Sequence, residues 1–301
     1  MDSRYYCPKC MNIQRSFTCY IDLETGNLVN PIVGKCSREI KCGHHYTPRQ
    51  YFHDYQISLE KSHNKIYINP SKELKSASNI NLEVFKASLK CYERNHFVAY
   101  LISLFGEGIT NKLIDKYSIA TSKYWEGATV FWQKDIHGNI RSGKIMLYNP
   151  STGKRIKEPF NHINWVHKVL KLDNFNLKQC LFGEHLLQDK SKPIAIVESK
   201  KTAIIASVYV PDYIWLASGS LSNLNTEKCA VLRGRMVTLF PDIKGFEKWN
   251  SKAQELSHIA TFNVSDLLEC NATQEEREKG LDLADYLIRF NYKEFISSFD
   301  S

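Results

Sequence analysis

The chain has 301 residues, of which 43% are hydrophobic and 24% are charged, and it carries a formal net charge of +8. This composition excludes a disordered or fibrous chain, and the length predicts two domains with a small additional module. No apolar run reaches the ~20 residues of a membrane span, and the N-terminal MDSRYYCPKC lacks the apolar segment of a secretory signal. We therefore predict a cytoplasmic protein with no membrane partner, whose positive charge weakly favours a polyanionic ligand.

The spacing of the first cysteines predicts a metal site. Five of the nine cysteines lie in the first 42 residues. Cys7 and Cys10 form a CxxC knuckle, and Cys36 and Cys42 form a second pair with five residues between them. Four thiolates from two such knuckles give Zn²⁺ a closed tetrahedral site, so we predict a structural zinc ion.

Two β-type runs, SFTCYIDLETG and NLVNPIVG, lie between the knuckles and are predicted to meet at a turn at Glu24–Asn27. A hairpin between two knuckles is typical of a zinc ribbon. The second pair is wider than CxxC, so His44 or His45 would be an alternative ligand, and we keep His45 in reserve. Cys19 is expected to be a small core residue. Burial as free thiols would also explain why the cysteines are present. A polar segment of ~45 residues, however, needs a cross-link such as a metal site to build a core.

The middle of the chain, residues 51–178, is predicted to combine helices with a β-hairpin. A polar connector over 48–79 would carry one helix and one short strand at Ile66–Ile68. Helical periodicity follows over 81–118 in NLEVFKASLKC, in HFVAYLISLFG, which stops at Gly106, and in ITNKLIDKYSI. The pattern then changes to period two in ATVFWQKDI and IRSGKIMLY, which predicts a hairpin around the turn His137–Asn139.

Basic residues within and after this hairpin are interleaved with Trp132 and Trp165. Aromatic rings that stack on bases and cations that track the backbone are the features of a single-strand binding surface. The predicted members of that surface are Lys144, Lys154, Arg155, His167 and Lys168. A solvated basic face beside two core tryptophans explains the same pattern equally well.

From residue 179 to residue 301 strands alternate with helices, which predicts a parallel sheet with crossover helices. The predicted strands are PIAIVES, IWLAS, RMVTLFPD and IATFNVSDLL, and the helices are KKTAIIASVY, FEKWNSKAQELS and LADYLIRFN. The carboxyl ends of parallel strands share one edge of the sheet. We therefore expect Glu198, Gly219, Asp242 and Asp266 to lie along one crevice.

These acidic positions resemble those of Toprim domains. The matching segments are IVESKKTA with Glu198, FPD with Asp242, and GLDLADYL with Asp282 and Asp285. A zinc module ahead of a Toprim domain is the order found in bacterial and phage primases. The zinc ribbon, GKIMLYNPSTGKR and FGEHLL…IVESKKTA are similar to Toprim-containing, primase-like proteins carried on mobile elements of Bacteroidetes.

The predicted fold class is therefore an α+β N-terminal zinc ribbon and helical/β-hairpin region followed by an α/β Toprim-like domain with a mainly parallel sheet. Its predicted boundaries are 1–50 for the ribbon, 51–178 for the primase-like region and 179–301 for the Toprim-like domain.

The resemblance implies a nucleotidyl-transfer or phosphodiester site. Glu198 would act as general base or metal ligand, and Asp242 would hold Mg²⁺ or Mn²⁺ with the further carboxylates Asp282 and Asp285. The structural alternative is that Glu198 merely favours a helix dipole, with Ser199 as the cap.

Two positions depart from the family pattern. Lys244 stands where catalytic members usually have a second acid, and Thr202 stands where primases tend to have one. A cation at 244 would repel Mg²⁺. Either Asp282 or Asp285 completes a one-metal site, or Lys244 itself contacts phosphate, or the fold is kept for binding alone.

Lys200 and Lys201 also stand against the local preference, because cations at a helix start oppose its dipole. They indicate a nearby phosphate, although a solvated surface pair is nearly as good an explanation.

The sequence is consistent with three functions. The first is a primase-like protein that makes RNA or DNA primers, or performs related nucleotidyl transfer, in the replication or mobilisation of a genetic element. The second is a degenerate Toprim module that binds single-stranded nucleic acid or a replication partner, and the third is a Toprim nuclease. The partners would be single-stranded DNA or another nucleic acid, with a replicative helicase or a mobilisation protein. The sequence contains no GxxxxGK[ST], which excludes a helicase motor of that type from these residues.

Overall fold

The computed structural model describes residues 4–11, 15–22, 27–38, 41–55 and 76–296. The chain forms two compact units, residues 1–74 and 75–301. Most of the predicted turn at Glu24–Asn27 and the predicted strand at Ile66–Ile68 lie outside the described residues.

The first unit contains a small antiparallel sheet followed by one helix. Its strands are β1 (Arg4–Tyr5), β2 (Phe17–Cys19), β3 (Gly34–Cys36) and β4 (His45–Tyr46), in that order across the sheet, and the helix is α1 (Pro48–Asp54). Thr47 and Gln50 form a capping box at the start of α1, where Pro48 fits the first turn. The second predicted run was placed too early, since Leu28 makes only an isolated bridge to Ile21 and the strand itself begins at Gly34.

The second unit contains the remaining elements. They are α2 (Leu82–Ser88), α3 (His96–Tyr117), β5 (Ile119–Thr121), β6 (Thr129–Lys134), β7 (Ile140–Met146), β8 (Ile163–Trp165), α4 (Val166–Val169), β9 (Ile194–Val197), α5 (Lys200–Tyr209), β10 (Ile214–Ala217), α6 (Thr226–Cys229), β11 (Met236–Leu239), α7 (Phe246–Glu255), β12 (Thr261–Val264), α8 (Leu267–Asn271), α9 (Gln274–Lys279), α10 (Leu283–Leu287) and α11 (Tyr292–Ile296).

The predicted hairpin is formed by β6 and β7 and lies at the centre of an antiparallel sheet in the order β5-β6-β7-β8. Asn95 ties this sheet to α3. Its side-chain oxygen caps the first turn of the helix and accepts a 2.7 Å hydrogen bond from the Thr129 hydroxyl, while its amide nitrogen donates to the carbonyl of Ala120. One polar side chain therefore sets the position of the helix against two strands.

Helix α3 is interrupted at Gly106, where φ is 76° and ψ is 170°. Glycine adopts this backbone conformation without a steric penalty, which explains the predicted stop. Among the described helices α3 alone has the length and composition of a membrane span. Phe97, Leu101 and Phe105 of this helix nevertheless pack into the core of the second unit.

The second sheet is parallel, with the strand order β10-β9-β11-β12, which confirms the predicted parallel sheet. Strands β9 and β10 are continuous apolar runs and are fully buried, as expected where both faces of the sheet are covered, whereas β11 and β12 alternate with more exposed positions. One core extends from Phe97 of α3 through Phe131 of β6 to Val197 of β9 and Leu287 of α10. The residues predicted as a primase-like region and those predicted as a Toprim-like region thus share one hydrophobic core.

Candidate functional site

The four cysteines selected by spacing are brought together in the first unit. The sulfur atoms of Cys7, Cys10, Cys36 and Cys42 all lie within 4.8 Å of one another, and the Cys7 and Cys42 sulfurs are 3.7 Å apart. A tetrahedron with Zn–S bonds of ~2.3 Å places its sulfurs about 3.8 Å apart, so the cluster fits the ion. Burial raises the pKa of the Cys42 thiol to about 12, and the positive charge of a metal ion is what would hold four thiolates together.

The neighbouring side chains support this cluster without joining it. The Ser16 hydroxyl lies 3.5 Å from the Cys36 sulfur, and the Arg38 guanidinium lies 3.8 Å from the Cys10 sulfur. The reserve ligand His45 is turned elsewhere, since its Nε2 lies 2.8 Å from the Tyr20 hydroxyl. Cys19 is a buried residue of the same small core, as predicted.

A second cluster, called here the acidic edge, consists of Glu198, Asp242, Asp282 and Asp285 with Lys201 among them. Glu198 directly follows β9, and Asp242 follows β11, the neighbouring parallel strand. Burial, and then the charges of Asp282, Glu198 and Asp285, raise the pKa of Asp242 well above its ordinary value, while Lys201 acts in the opposite direction. Four carboxylates around one ammonium leave an excess of negative charge, which suits a divalent cation with hard oxygen ligands.

The two aspartates from α10 are already engaged with protein groups. Asp282 and Asp285 form a capping box at the start of that helix, in which Asp282 Oδ1 accepts from the Asp285 amide at 2.9 Å. Thr202 donates to Asp282 Oδ2 at 2.9 Å, and the Lys201 ammonium lies 3.2 Å from Asp285 and 3.7 Å from Asp282. By contrast, the Asp242 carboxylate accepts no hydrogen bond from the described residues, which leaves its oxygens available to a metal ion.

The other residues that follow strands lie apart from this charge cluster or act through their backbone. Gly219, with φ of 81°, donates its amide to the Glu198 carbonyl at 2.8 Å and so joins the ends of β10 and β9. Asp266 is exposed at the start of α8, where it accepts a hydrogen bond from Cys270. Lys244 is exposed, has a left-handed φ of 69°, and donates its backbone amide to Glu269.

Basic groups lie beside Glu198. Lys144 of β7 is half-buried, not exposed as predicted; burial and then the charge of Arg155 lower its pKa, while Glu198 acts in the opposite direction. Its ammonium lies 5.7 Å from the centre of the Trp165 ring. Lys154, Arg155 and Lys168 are exposed and His167 is half-buried. Trp132 is only 1% exposed and belongs to the core, so it is not available to stack on bases.

The lysine pair at the start of α5 is buried rather than solvated. Lys201 is 8% exposed; burial lowers its pKa, but Asp282 and Asp285 outweigh that effect and raise it. Lys200 is 5% exposed, and burial followed by the charges of Lys144 and Lys228 places its pKa well below the ordinary value. The two neighbours therefore face opposite electrostatic surroundings.

Tyr100 and Thr202 are residues of the site that the sequence did not assign to it. Tyr100 is 4% exposed and lies close enough to Lys201 and Asp285 for their charges to act on its phenol. The loop after β7 reaches the same ring, because a Cβ at Gly153, whose φ is 61°, would collide with Tyr100. Tyr100 lies within the helical run HFVAYLISLFG, where no sequence signal distinguishes it.

Comparisons with known proteins agree with the first of these sites. Residues 1–57 match the zinc beta-ribbon finger family. The first unit is therefore similar to a zinc ribbon. Residues 95–243 match a domain of unknown function, DUF6371, and no curated protein matches the chain in sequence.

Solved structures show a distant similarity. The primase fragment of the bacteriophage T7 primase-helicase protein is 17% identical with a TM-score of 0.39, over 69% of this chain and 80% of that chain. The E. coli primase catalytic core is 11% identical with a TM-score of 0.41, over 69% and 81% of the two chains. The zinc binding and RNA polymerase domains of the Aquifex aeolicus primase are 12% identical with a TM-score of 0.39, over 99% and 79%.

The raised pKa of Asp242 leads to a prediction about the stability of the folded chain. Because its pKa is raised in the folded state, the folded chain holds this proton more tightly than the unfolded chain. Stability is therefore lost as the pH rises from the unfolded pKa of ~4 through the raised value. Asp242→Asn should increase the free energy of unfolding at pH 8 by about 1 kcal/mol, a typical size for a single-substitution effect, and should leave it nearly unchanged at pH 4.

Urea denaturation followed by tryptophan fluorescence measures this effect, because all five tryptophans belong to the second unit. Asp212→Asn, at an exposed position, is the matched control and should leave stability unchanged at both pH values. Equal stability of wild type and Asp242→Asn at pH 8 would show that burial and the neighbouring carboxylates do not destabilise the ionised form of Asp242.

Proposed function

We propose that this protein is a primase-like nucleotidyltransferase of the Toprim type that acts on single-stranded DNA. The observation that carries the proposal is the acidic edge itself. The carboxylate of Asp242 lies among three further carboxylates. One of them, Glu198, also acts on the basic group Lys144, whose pKa is lowered further by the charge of Arg155. A metal-binding pocket next to a phosphate-binding surface is what transfer of a nucleotidyl group requires.

In this proposal Asp242 and Glu198 would hold Mg²⁺ or Mn²⁺, and Glu198 would also accept a proton. The metal ion would neutralise developing charge on the phosphate and activate the attacking oxygen. Lys201 pairs with Asp282 and Asp285, so these two aspartates hold Lys201 in place and do not need to be direct ligands. Lys154, Arg155 and Lys168 are exposed and would contact the backbone of the template. The zinc ribbon is a further template-binding surface, and a replicative helicase or a mobilisation protein of a genetic element is the proposed partner.

Primer synthesis on single-stranded DNA tests the proposal. The full chain would be incubated with template, labelled nucleoside triphosphates and Mg²⁺ or Mn²⁺, beside a Glu198→Gln/Asp242→Asn double variant. Oligonucleotides made by the wild type and absent with the double variant would support a primase. Cleavage of the template without added nucleotides, lost in the double variant, would instead identify a nuclease.

A second function is favoured by the departures from the family pattern. Lys244 replaces a carboxylate and is exposed, and the oxygens of Asp282 and Asp285 are engaged by the capping box and by Lys201. A module that binds single strands without catalysis is consistent with these features. It predicts template binding that is salt-dependent and unchanged in the double variant, with no synthesis.

A further inference from the structure

Two loops of the second unit bring four aromatic rings together at its surface. Tyr124 and Trp125 lie between β5 and β6, and Phe160 and His162 precede β8. The ring centroids are 4.6 Å apart for Tyr124 and Trp125, 5.2 Å for Trp125 and His162, and 4.3 Å for Phe160 and His162. These four residues, each in contact with the next, are called here the aromatic platform.

Packing accounts for two members of the platform but not for the other two. Trp125 packs against the core residues of β6 and β7, and His162 is half-buried. Phe160 is 53% exposed and Tyr124 is 46% exposed, and Phe290 is the one other exposed phenylalanine, tyrosine or tryptophan in the described part of the second unit. His162 covers one face of the Phe160 ring at an interplanar angle of 26°, which leaves the other face to solvent. Adjacent exposed rings of this kind mark a binding surface.

Backbone hydrogen bonds hold the platform on the antiparallel sheet. The amide of Leu147 donates to the His162 carbonyl at 3.3 Å, and the amide of His162 donates to the Ile156 carbonyl at 3.4 Å. In the other loop the amide of Ala128 donates to the Trp125 carbonyl at 3.1 Å. Because the rings are carried by loops fixed in this way, little ordering is needed when a ligand binds, which lowers the entropic cost of binding.

The platform is continuous with basic residues already proposed to contact the template. Arg155 directly precedes Ile156, whose carbonyl accepts the His162 amide. Segments 122–127 and 154–162, which carry the four rings, contain four lysines and arginines and two glutamates, so the surroundings of the platform are positive. All four basic residues are exposed: Lys123, Lys154, Arg155 and Lys157. A single strand offers base faces to rings and phosphates to cations, whereas a duplex hides its base faces.

We infer that the aromatic platform stacks unpaired bases of a single strand while the adjacent basic residues contact its phosphates. The inference rests on the proposed function, and it names the part of the surface that distinguishes a single strand from a duplex. Trp132, which is 1% exposed, cannot take this role, and Phe160 and Tyr124 supply exposed rings in its place. Binding by stacking tolerates any base sequence, because every base has a flat π-face.

Binding of the full chain to a labelled oligo-dT of about 12 nucleotides, measured by fluorescence anisotropy, tests the platform against an abasic strand with the same number of phosphates. The wild type should bind oligo-dT more tightly than the abasic strand. Phe160→Ala and Tyr124→Ala should each weaken oligo-dT binding about tenfold, a typical loss for one stacked base, and leave abasic binding unchanged. Lys157→Gln should weaken both ligands alike and reduce the slope of log affinity against log salt by about 0.7.

Two further substitutions serve as controls. Phe160→Tyr keeps an aromatic ring and should bind oligo-dT like the wild type. Phe290→Ala removes an exposed ring elsewhere in the same unit and should also leave binding unchanged. Because Phe160 and Tyr124 are exposed, every variant should keep the urea midpoint of the wild type by tryptophan fluorescence.

The outcomes separate this inference from the proposed function. Unchanged oligo-dT affinity in Phe160→Ala and Tyr124→Ala would overturn the inference, and so would an equal loss of affinity for the abasic strand. Loss of self-association in Phe160→Ala with DNA binding intact would also overturn it, because the rings would then join two copies of the chain. Ring-dependent binding of oligo-dT without primer synthesis would refute the proposed function and leave the platform standing.

Discussion

Cys10→Ser should release the zinc ion and unfold the ribbon while the second unit remains folded. Structural zinc sites contribute ~10–16 kcal/mol of apparent binding free energy, and the hydrophobic cluster in the described part of the ribbon consists of Phe17, Leu28 and the cysteines around them. The second unit has its own extensive cores. We expect bound zinc to fall from one equivalent to near zero, with rapid proteolysis of residues 1–74 and an unchanged unfolding transition by tryptophan fluorescence.

Two neighbouring substitutions provide the controls for this experiment. Cys19→Ala removes a buried cysteine that lies outside the four-sulfur cluster, and His45→Ala removes the reserve ligand, whose Nε2 is close to the Tyr20 hydroxyl. Both variants should retain a full equivalent of zinc. Retention of zinc by Cys10→Ser, or its loss from His45→Ala, would contradict the assignment of the four cysteines.

Glu198→Gln and Asp242→Asn should each reduce nucleotidyl transfer about 10²–10⁴-fold, the range expected when a positioned acid-base or metal-binding group is removed. The second variant is the more informative, because the raised pKa of Asp242 predicts that Asp242→Asn is more stable than the wild type at pH 8. A loss of activity with a gain of stability cannot be attributed to misfolding, and it is the behaviour expected of a group kept for function.

Asp266→Asn is the matched control, since Asp266 also follows a strand of the same sheet but is exposed and contacts Cys270. Its activity should remain within twofold of the wild type, a margin of about 0.4 kcal/mol. Equal losses in Asp242→Asn and Asp266→Asn would show that the acidic edge has no special role in the reaction.

The sheet and the cysteine cluster could be predicted from sequence because both depend on local patterns. The runs that form β9 and β10 are continuously apolar. The runs that form β9 and β11 lead into Glu198 and Asp242, so the edge carrying these two acids follows from strand direction alone. The cysteine spacing likewise limits the possible ligands. The Asn caps at positions 81 and 95 and the break at Gly106 are also local signals.

The surroundings of the lysines could not be predicted, because they depend on elements distant in sequence. Lys201 is neutralised by aspartates more than 80 residues later in the chain, and Lys200 faces Lys144 and Lys228 from two other elements. The burial of Trp132 could not be predicted for the same reason. The apolar residues that enclose its side chain come from several elements, and the basic residues near it in sequence do not indicate them. Strand β5 was missed because its three residues follow α3 with only Ser118 between them.

The capping box at α10 affects how related sequences should be compared. Asp282 and Asp285 close the first turn of that helix and neutralise Lys201, so selection for folding alone would preserve both acids. A homologue that has lost catalysis is therefore expected to keep acids at 282 and 285 while positions 198 and 242 drift. Comparisons of homologues that test the proposed function should therefore weight Glu198 and Asp242 and disregard the other pair.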